Sequence, residues 1–291
     1  MTTRLLPLPS WRSLLFVPVT AERFLAKAHE RGADAIILDL EDSILPKDKE
    51  QARAAIAAAV PRVSQRGADV VVRINRPLEL AVPDIAAAVM PGVAALMLPK
   101  VMGPEHVRLL AELVTAREEA LGMAVGHTRF LALIESPAAL PHLYAIAAEP
   151  RMAGMSVGGE DMATELGAIP SADSMYVYAM MGLAACRTAG ILPMGSMGQL
   201  AKIDDLESYR AGLKRGRALG FTTASCIHPN HVPIINEEYG ASAEEVDRAR
   251  RLIAAFEASG AGAVAFEGSM IDLPVVKRAR RLVTRAAQWK Q

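Results

Sequence analysis

The sequence predicts an α/β protein, a (β/α)8 TIM barrel with a C-terminal helical extension. Three observations carry this. Short apolar or β-branched runs alternate with longer amphipathic runs from the start to about residue 230, and the short runs number eight. They are apolar on both faces, as strands of a parallel sheet covered by helices are. No Gly-x-Gly-x-x-Gly follows the first of them, where an open nucleotide-binding sheet would carry it.

The expected strands are Ser13 to Pro18, Ala35 to Asp39, Val70 to Ile74, Ala94 to Leu98, Phe130 to Glu135, Met152 to Val157, a weaker Gly190 to Met194, and Thr223 to Ile227. Helical spacing of apolar residues marks Ala21 to Arg31, Lys47 to Ala59, Pro104 to Ala120, Ser136 to Ala148, Ser174 to Thr188 and Asp204 to Leu219. After residue 240 the alternation stops. Ala243 to Ser259 and Pro274 to Trp289 read as two helices around a glycine-bearing segment, too short a tail to hold a core of its own. The 291 residues therefore divide into a barrel at 1–238 and an extension at 239–291, the first a normal size for this fold. The basic run Lys277 to Arg285 reads as a solvated last helix with cations toward its C-terminal end.

With 32 basic and 32 acidic side chains the chain has no net charge, which excludes a nucleic-acid binder relying on phosphate neutralisation. No apolar run approaches the ~20 residues of a membrane span, and the first residues lack the apolar stretch of a secretory signal. A soluble, cytoplasmic protein is expected. Cys186 and Cys226 lack metal-ligand spacing and read as reduced core residues. Eight of the 14 methionines fall between Met152 and Met197 and read chiefly as adaptable packing.

In a barrel the catalytic groups hang from the C-terminal ends of strands. Here those ends carry Asp39, Glu41 and Asp42, then Arg73 and Asn75, Lys100, Glu135, Gly158 to Asp161, Gly195 with Ser196, and His228. Apolar strands that each finish in a polar residue or glycine are hard to explain by packing. Glu135 and Asp161 end consecutive strands, and two carboxylates without His or Cys suit Mg²⁺ or Mn²⁺, completed by water and substrate oxygens. They read equally as solvated loop acids or helix caps. Arg73 is placed to clamp a substrate carboxylate, or to pair with Asp39 or Glu41. Asp39 is the acid of its cluster expected to face the site; Glu41 and Asp42 serve backbone groups or a metal's waters. Gly158 and Gly159 let backbone N–H groups approach an anion. Lys100 raises Schiff-base chemistry against a plain ion pair, and His228 an acid or base against a structural histidine.

These stretches resemble the citrate lyase β-subunit-like branch of the HpcH/HpaI aldolase superfamily. The resemblance runs through RSLLFVP (Arg12 to Pro18), GADAIILDLEDS (Gly32 to Ser43), VVRIN (Val71 to Asn75), LMLPKV (Leu96 to Val101) and ALIESPAAL (Ala132 to Leu140). It continues through GGEDMATELG (Gly158 to Gly167), CIHPNHVPIIN (Cys226 to Asn236) and GSMIDLPVVKRA (Gly268 to Ala279), in order along nearly the whole chain.

What the resemblance implies is a Mg²⁺-dependent carbon–carbon lyase acting on a β-hydroxyacyl-CoA such as citryl-CoA, malyl-CoA or citramalyl-CoA, and yielding an acyl-CoA and an oxo-acid. It makes Glu135 and Asp161 metal ligands, Arg73 the carboxylate clamp, and the Gly158, Gly159, Glu160 and Asp161 backbone the oxo-acid site, with Asp39 among the catalytic residues. Arg23 and Lys27 would face the CoA phosphates. Asp272, in the extension, would be an acid/base supplied to a neighbouring subunit of a homotrimer or hexamer. Two alternatives stand beside it: a CoA-independent aldolase of 2-keto-hydroxy-acids, and a lyase subunit that needs an acyl-carrier partner. The sequence departs from the family at Gly195-Ser196-Met197-Gly198, a loop that binds an anion or merely turns.

Overall fold

The computed structural model describes residues 7–197 and 204–289. It divides into two compact units, Met1–Asn236 and Glu237–Gln291. The first is built on eight strands: β1 (Ser13–Pro18), β2 (Ala35–Asp39), β3 (Asp69–Arg73), β4 (Val93–Leu98), β5 (Arg129–Ile134), β6 (Met152–Val157), β7 (Leu192–Met194) and β8 (Ala224–Cys226). All pair in parallel, in the order β7-β6-β5-β4-β3-β2-β1-β8. The seam between β7 and β8 is joined by a parallel bridge from Met194 to Thr223 and by the Gly195 N–H donating to the Thr223 carbonyl at 2.9 Å. A TIM barrel results.

The helices are α1 (Glu22–Ala28), α2 (Lys49–Val63), α3 (Leu78–Ala88), α4 (Pro104–Ala120), α5 (Leu143–Ala148), α6 (Glu160–Glu165), α7 (Ala172–Ala189), α8 (Leu206–Leu219) and α9 (His231–Glu238). The stretch expected as one helix from Ser136 begins instead as a 3-10 turn at Pro137–His142, because two prolines in it withhold N–H groups. Ser136 caps it, accepting from the Ala138 N–H.

Strand periodicity positions the site. Side chains alternate between faces, and Leu14, Ala35, Ile37, Val71, Ala95, Met97 and Leu131 share one buried cluster with Trp11, Leu192 and Met194. The same parity carries β2 from Ile37 to Asp39, β3 from Val71 to Arg73, and β5 from Leu131 past Leu133 to Glu135. On these three strands the inner face is apolar until the C-terminal end, where it becomes charged. The other parity, including Ile36, Leu38, Val70, Val72, Leu96 and Phe130, is equally buried, which is why the strands read as continuous apolar runs.

Both cysteines are buried and unpaired; burial pushes each thiol up to about 12. Met152, Met155, Met162, Met194 and Met197 are buried in the core. No helix among the described residues is long and apolar enough to cross a membrane.

The second unit corrects the expectation of a purely helical tail without a core. Helices α10 (Ala243–Ser259) and α11 (Leu273–Ala286) flank an antiparallel hairpin, β9 (Ala263–Phe266) and β10 (Ser269–Asp272). Glu267 and Gly268 form its two-residue turn, with φ of +46° and +78°, the twist that tight hairpins require. Ala249, Leu252, Ile271, Val276 and Ala279 form a small buried cluster. The tail holds this core because its two helices and hairpin close on one another.

Candidate active site

At the C-terminal ends of β2 to β6 the polar residues converge. Asp39 and Arg73 are register partners on adjacent strands, and the guanidinium forks onto the carboxylate, Nε to Oδ1 at 2.7 Å and Nη2 to Oδ2 at 2.8 Å. Asp39 also accepts the Glu41 and Ser43 N–H groups and is only 2% exposed. Burial alone would raise its pKa, but these donors, Arg73 first, hold it below the usual value. With both oxygens engaged and no open face, Asp39 aims Arg73.

Arg73 turns its remaining edge to Glu41 Oε2 at 2.9 Å and Asp42 Oδ2 at 3.5 Å, with its guanidinium carbon 4.7 Å from the Phe16 ring centroid. It is therefore the ion-paired arginine that one reading anticipated. A substrate carboxylate would have to share the edge held by Glu41 and Asp42, since Asp39 takes the fork.

Glu41 links the mouth together. Buried beside Arg73, it lies 3.5 Å from the Lys100 ammonium, and burial, reinforced by Asp42, pushes its carboxyl up to about 7 despite Arg73. Lys49 fixes this segment by donating to the Leu40 and Glu41 carbonyls. Asn75 holds it from the other side, donating to the Leu40 carbonyl and to Asp84, which pairs with Arg53 at 2.9 Å.

Lys100 follows β4 with φ of +48°, rare for a side chain with Cβ. Its N–H donates to Glu135 Oε2 at 3.0 Å, and its ammonium lies 3.1 Å from Asp161 Oδ2. The flanking carboxylates keep the amine protonated and raise its pKa despite partial burial, the opposite of what a Schiff-base lysine needs. Burial, with the nearby Asp161, raises the Glu135 pKa, although the Lys100 N–H opposes this.

Gly158 and Gly159, with φ of +113° and +100°, carry the chain from β6 into α6, where Glu160 and Asp161 occupy the first turn. The Gly158 N–H is spent on the Ile134 carbonyl at 3.0 Å. The N–H groups left for an anion are those of the first turn, which no helical carbonyl reaches. Glu160 is exposed and Asp161 is 46% exposed in its side chain. The site gathers five carboxylates, Asp39, Glu41, Asp42, Glu135 and Asp161, around Arg73 and Lys100, with the Lys49 ammonium behind them on the Leu40 and Glu41 carbonyls. Among the described residues no three His, Cys, Asp or Glu are grouped to hold a metal. A cation at Glu135 and Asp161 would complete its shell with water and substrate oxygens, as Mg²⁺ accepts.

Arg23 and Lys27 share one exposed face of α1, Arg23 stacked 4.4 Å over Phe24; among the described residues neither makes an ion pair. His228 Nδ1 accepts the Asn230 N–H at 3.2 Å, and its ring meets His231 edge-on, a local structural role. Gly195 joins the barrel seam, while Gly198 of the same loop lies outside the described residues. Asp272, in the second unit, caps α11 by accepting the Val275 N–H at 3.4 Å.

Comparison with known proteins agrees over the whole barrel. The family model for HpcH/HpaI aldolase/citrate lyase matches residues 12–229. The citrate lyase subunit beta of Leuconostoc mesenteroides subsp. cremoris is 32% identical over 282 residues, covering 94% of this chain and 92% of the relative. The L-malyl-CoA/beta-methylmalyl-CoA lyase of Cereibacter sphaeroides is 34% identical over 316 residues, with 98% of each chain covered. The crystal structure of CitE from Mycobacterium tuberculosis in complex with magnesium, acetoacetate and coenzyme A superposes with a TM-score of 0.74 at 29% identity, over 94% of this chain and 97% of that one. A family model that spans the barrel, with relatives above 30% identity over nearly the whole chain, shows that this chain is a member of the HpcH/HpaI aldolase/citrate lyase family.

Proposed function

We propose that the chain is a Mg²⁺-dependent carbon–carbon lyase that cleaves a β-hydroxyacyl-CoA of the citryl-CoA, malyl-CoA or citramalyl-CoA type into an acyl-CoA and an oxo-acid. One observation carries this reading: a barrel mouth short of positive charge, with Glu135 and Asp161 just beyond the ends of successive strands, in a chain similar to citrate lyase beta subunits and to an L-malyl-CoA/beta-methylmalyl-CoA lyase. Glu135 and Asp161 would hold Mg²⁺, with Mn²⁺ as a substitute. When bound, the ion supplies Lewis acidity at the oxygen where negative charge develops as the bond breaks.

The chain's own groups do the rest. Arg73, aimed by Asp39, holds the carboxylate of the oxo-acid half. The N–H groups at Gly159, Glu160 and Asp161 receive its oxygens. Arg23 and Lys27 meet the phosphates of CoA. Cleavage moves one proton from the hydroxyl to the α-carbon of the departing thioester, and Asp272 of a neighbouring subunit delivers it at the carbon end. This assignment makes the protein a homo-oligomer, with the 237–291 unit completing a neighbour's site. A cytoplasmic setting fits its two unpaired thiols.

The test is to incubate the purified protein with Mg²⁺ and citryl-CoA, malyl-CoA and citramalyl-CoA, and follow the products by mass spectrometry. Release of an acyl-CoA and an oxo-acid, abolished by a chelator, is expected. Cleavage of free hydroxy-acids without CoA would overturn the thioester reading. Cleavage only of a carrier-protein thioester would favour a second reading, a lyase subunit, to which the similarity with citrate lyase beta subunits also points.

A further inference from the structure

We propose that Lys100 couples cation binding to substrate binding, its ammonium holding Asp161 in place of a divalent ion and turning to the substrate's anionic group when that ion arrives. The inference rests on the metal reading of Glu135 and Asp161.

Lys100 bonds to both of these residues, and through different atoms: its backbone N–H is 3.0 Å from Glu135 Oε2 and its Nζ is 3.1 Å from Asp161 Oδ2. The same ammonium lies 3.5 Å from Glu41 Oε1. The left-handed backbone at φ +48° accompanies this double contact. The two cations of the mouth differ in freedom. The Arg73 side chain is 13% exposed and forked onto Asp39, whereas that of Lys100 is 40% exposed and ends a four-carbon stem that can swing.

A divalent ion on Asp161 meets this ammonium at close range, and like charges in one site repel. The lysine then either weakens the ion's hold or leaves. Once displaced, it lies at the mouth beside the arriving carboxylate or thioester oxygen. One charge therefore has two opposite effects, opposing the metal when it binds alone and favouring the anion once the metal is present. The site would accept its ion and its substrate together rather than separately.

The experiment uses the full-length protein, native and as K100M, K100Q and K100R, with folding checked by circular dichroism and unfolding midpoint. Mn²⁺ alone is titrated by electron paramagnetic resonance, and pyruvate, a small 2-oxo-acid, is then titrated by calorimetry at saturating Mn²⁺. Neutralising the charge in K100M and K100Q is expected to tighten Mn²⁺ binding at least fivefold and weaken pyruvate at least fivefold, while K100R stays within twofold of native on both. Unchanged or weaker Mn²⁺ binding in both neutral variants, or K100R behaving like K100M, overturns the proposal. D161N and E135Q serve as controls. If they lose Mn²⁺ binding, the Lys100 variants test the coupling alone; if both retain native affinity, the metal reading fails and the coupling with it.

Discussion

Two carboxylate–guanidinium clusters occupy opposite ends of the barrel strands, and they use the same chemistry for different ends. At the N-terminal end, Glu118 on α4 is fully buried and meets Arg151 through two bonds, at 3.0 and 2.8 Å. The Thr128 and Gly126 N–H groups complete its shell, and Arg151 spends its other bonds on the Thr128 carbonyl and the Thr115 hydroxyl. One negative charge meets one positive charge. Burial would raise the Glu118 pKa, yet Arg151 and the N–H donors keep it below the usual range. At the C-terminal end, Arg73 and Lys100 face five carboxylates, and Glu41 and Glu135 lie above their ordinary values. The balanced cluster holds the fold. The unbalanced one is short of positive charge and stands at the C-terminal end of the barrel, which is where a divalent cation would supply what is missing.

The largest expected effect breaks the balanced cluster. Glu118→Ala leaves Arg151 buried without its counter-charge and should cost about 3–5 kcal/mol in urea unfolding, with Mg²⁺ affinity unchanged in whatever fraction stays folded. Next, Glu135→Gln and Asp161→Asn should lower Mg²⁺-dependent turnover by roughly a hundred- to a thousandfold with little loss of unfolding free energy, because the first relieves repulsion in the mouth and the second gives up only a half-exposed ion pair with Lys100. A mouth substitution that unfolds the protein would erase the distinction between the two clusters.

The pH dependence separates them further. The folded pKa of Glu41 is about 7 against an ordinary 4.5, so between these values the native state binds more protons than the unfolded chain. Stability from this group is therefore lost as pH rises from 4.5 through 7. Glu41→Gln should remove that decline and be more stable than native at pH 8 by on the order of 2 kcal/mol. Glu118 and Asp39, whose values are depressed, work the other way: their contribution is present above their ordinary values and lost as pH falls below them. Thermal unfolding from pH 3 to pH 9 reads both slopes. The smallest effect concerns residues outside both clusters. Arg23→Ala with Lys27→Ala should raise KM for the CoA thioester about tenfold and leave kcat nearly unchanged.

Much of the mouth was legible in the sequence because strand parity links core to site. Ile37 to Asp39, Val71 to Arg73 and Leu133 to Glu135 each step by two from an inward apolar residue to a polar one. The ranking inside Leu-Asp-Leu-Glu-Asp was not legible, since Asp39 and Glu41 share parity and only the pairing with Arg73 decides which acid is saturated. Lys100 was legible as a strand-end lysine, but its double contact was not: the reach to both Glu135 and Asp161 accompanies a positive φ that no residue pattern announces. The Glu118–Arg151 pair joins residues 33 apart on different elements, and Arg151 again has positive φ, +72°. The β9–β10 hairpin escaped because Glu-Gly is a weaker turn signal than Asn-Gly or Asp-Gly.

Calorimetric titration of Mg²⁺ into the native protein, Glu135→Gln and Asp161→Asn, all at one pH and checked for folding, tests the metal reading most directly. One Mg²⁺ per chain in the native protein, lost in both variants, is the result predicted; binding that persists undiminished in both would contradict it.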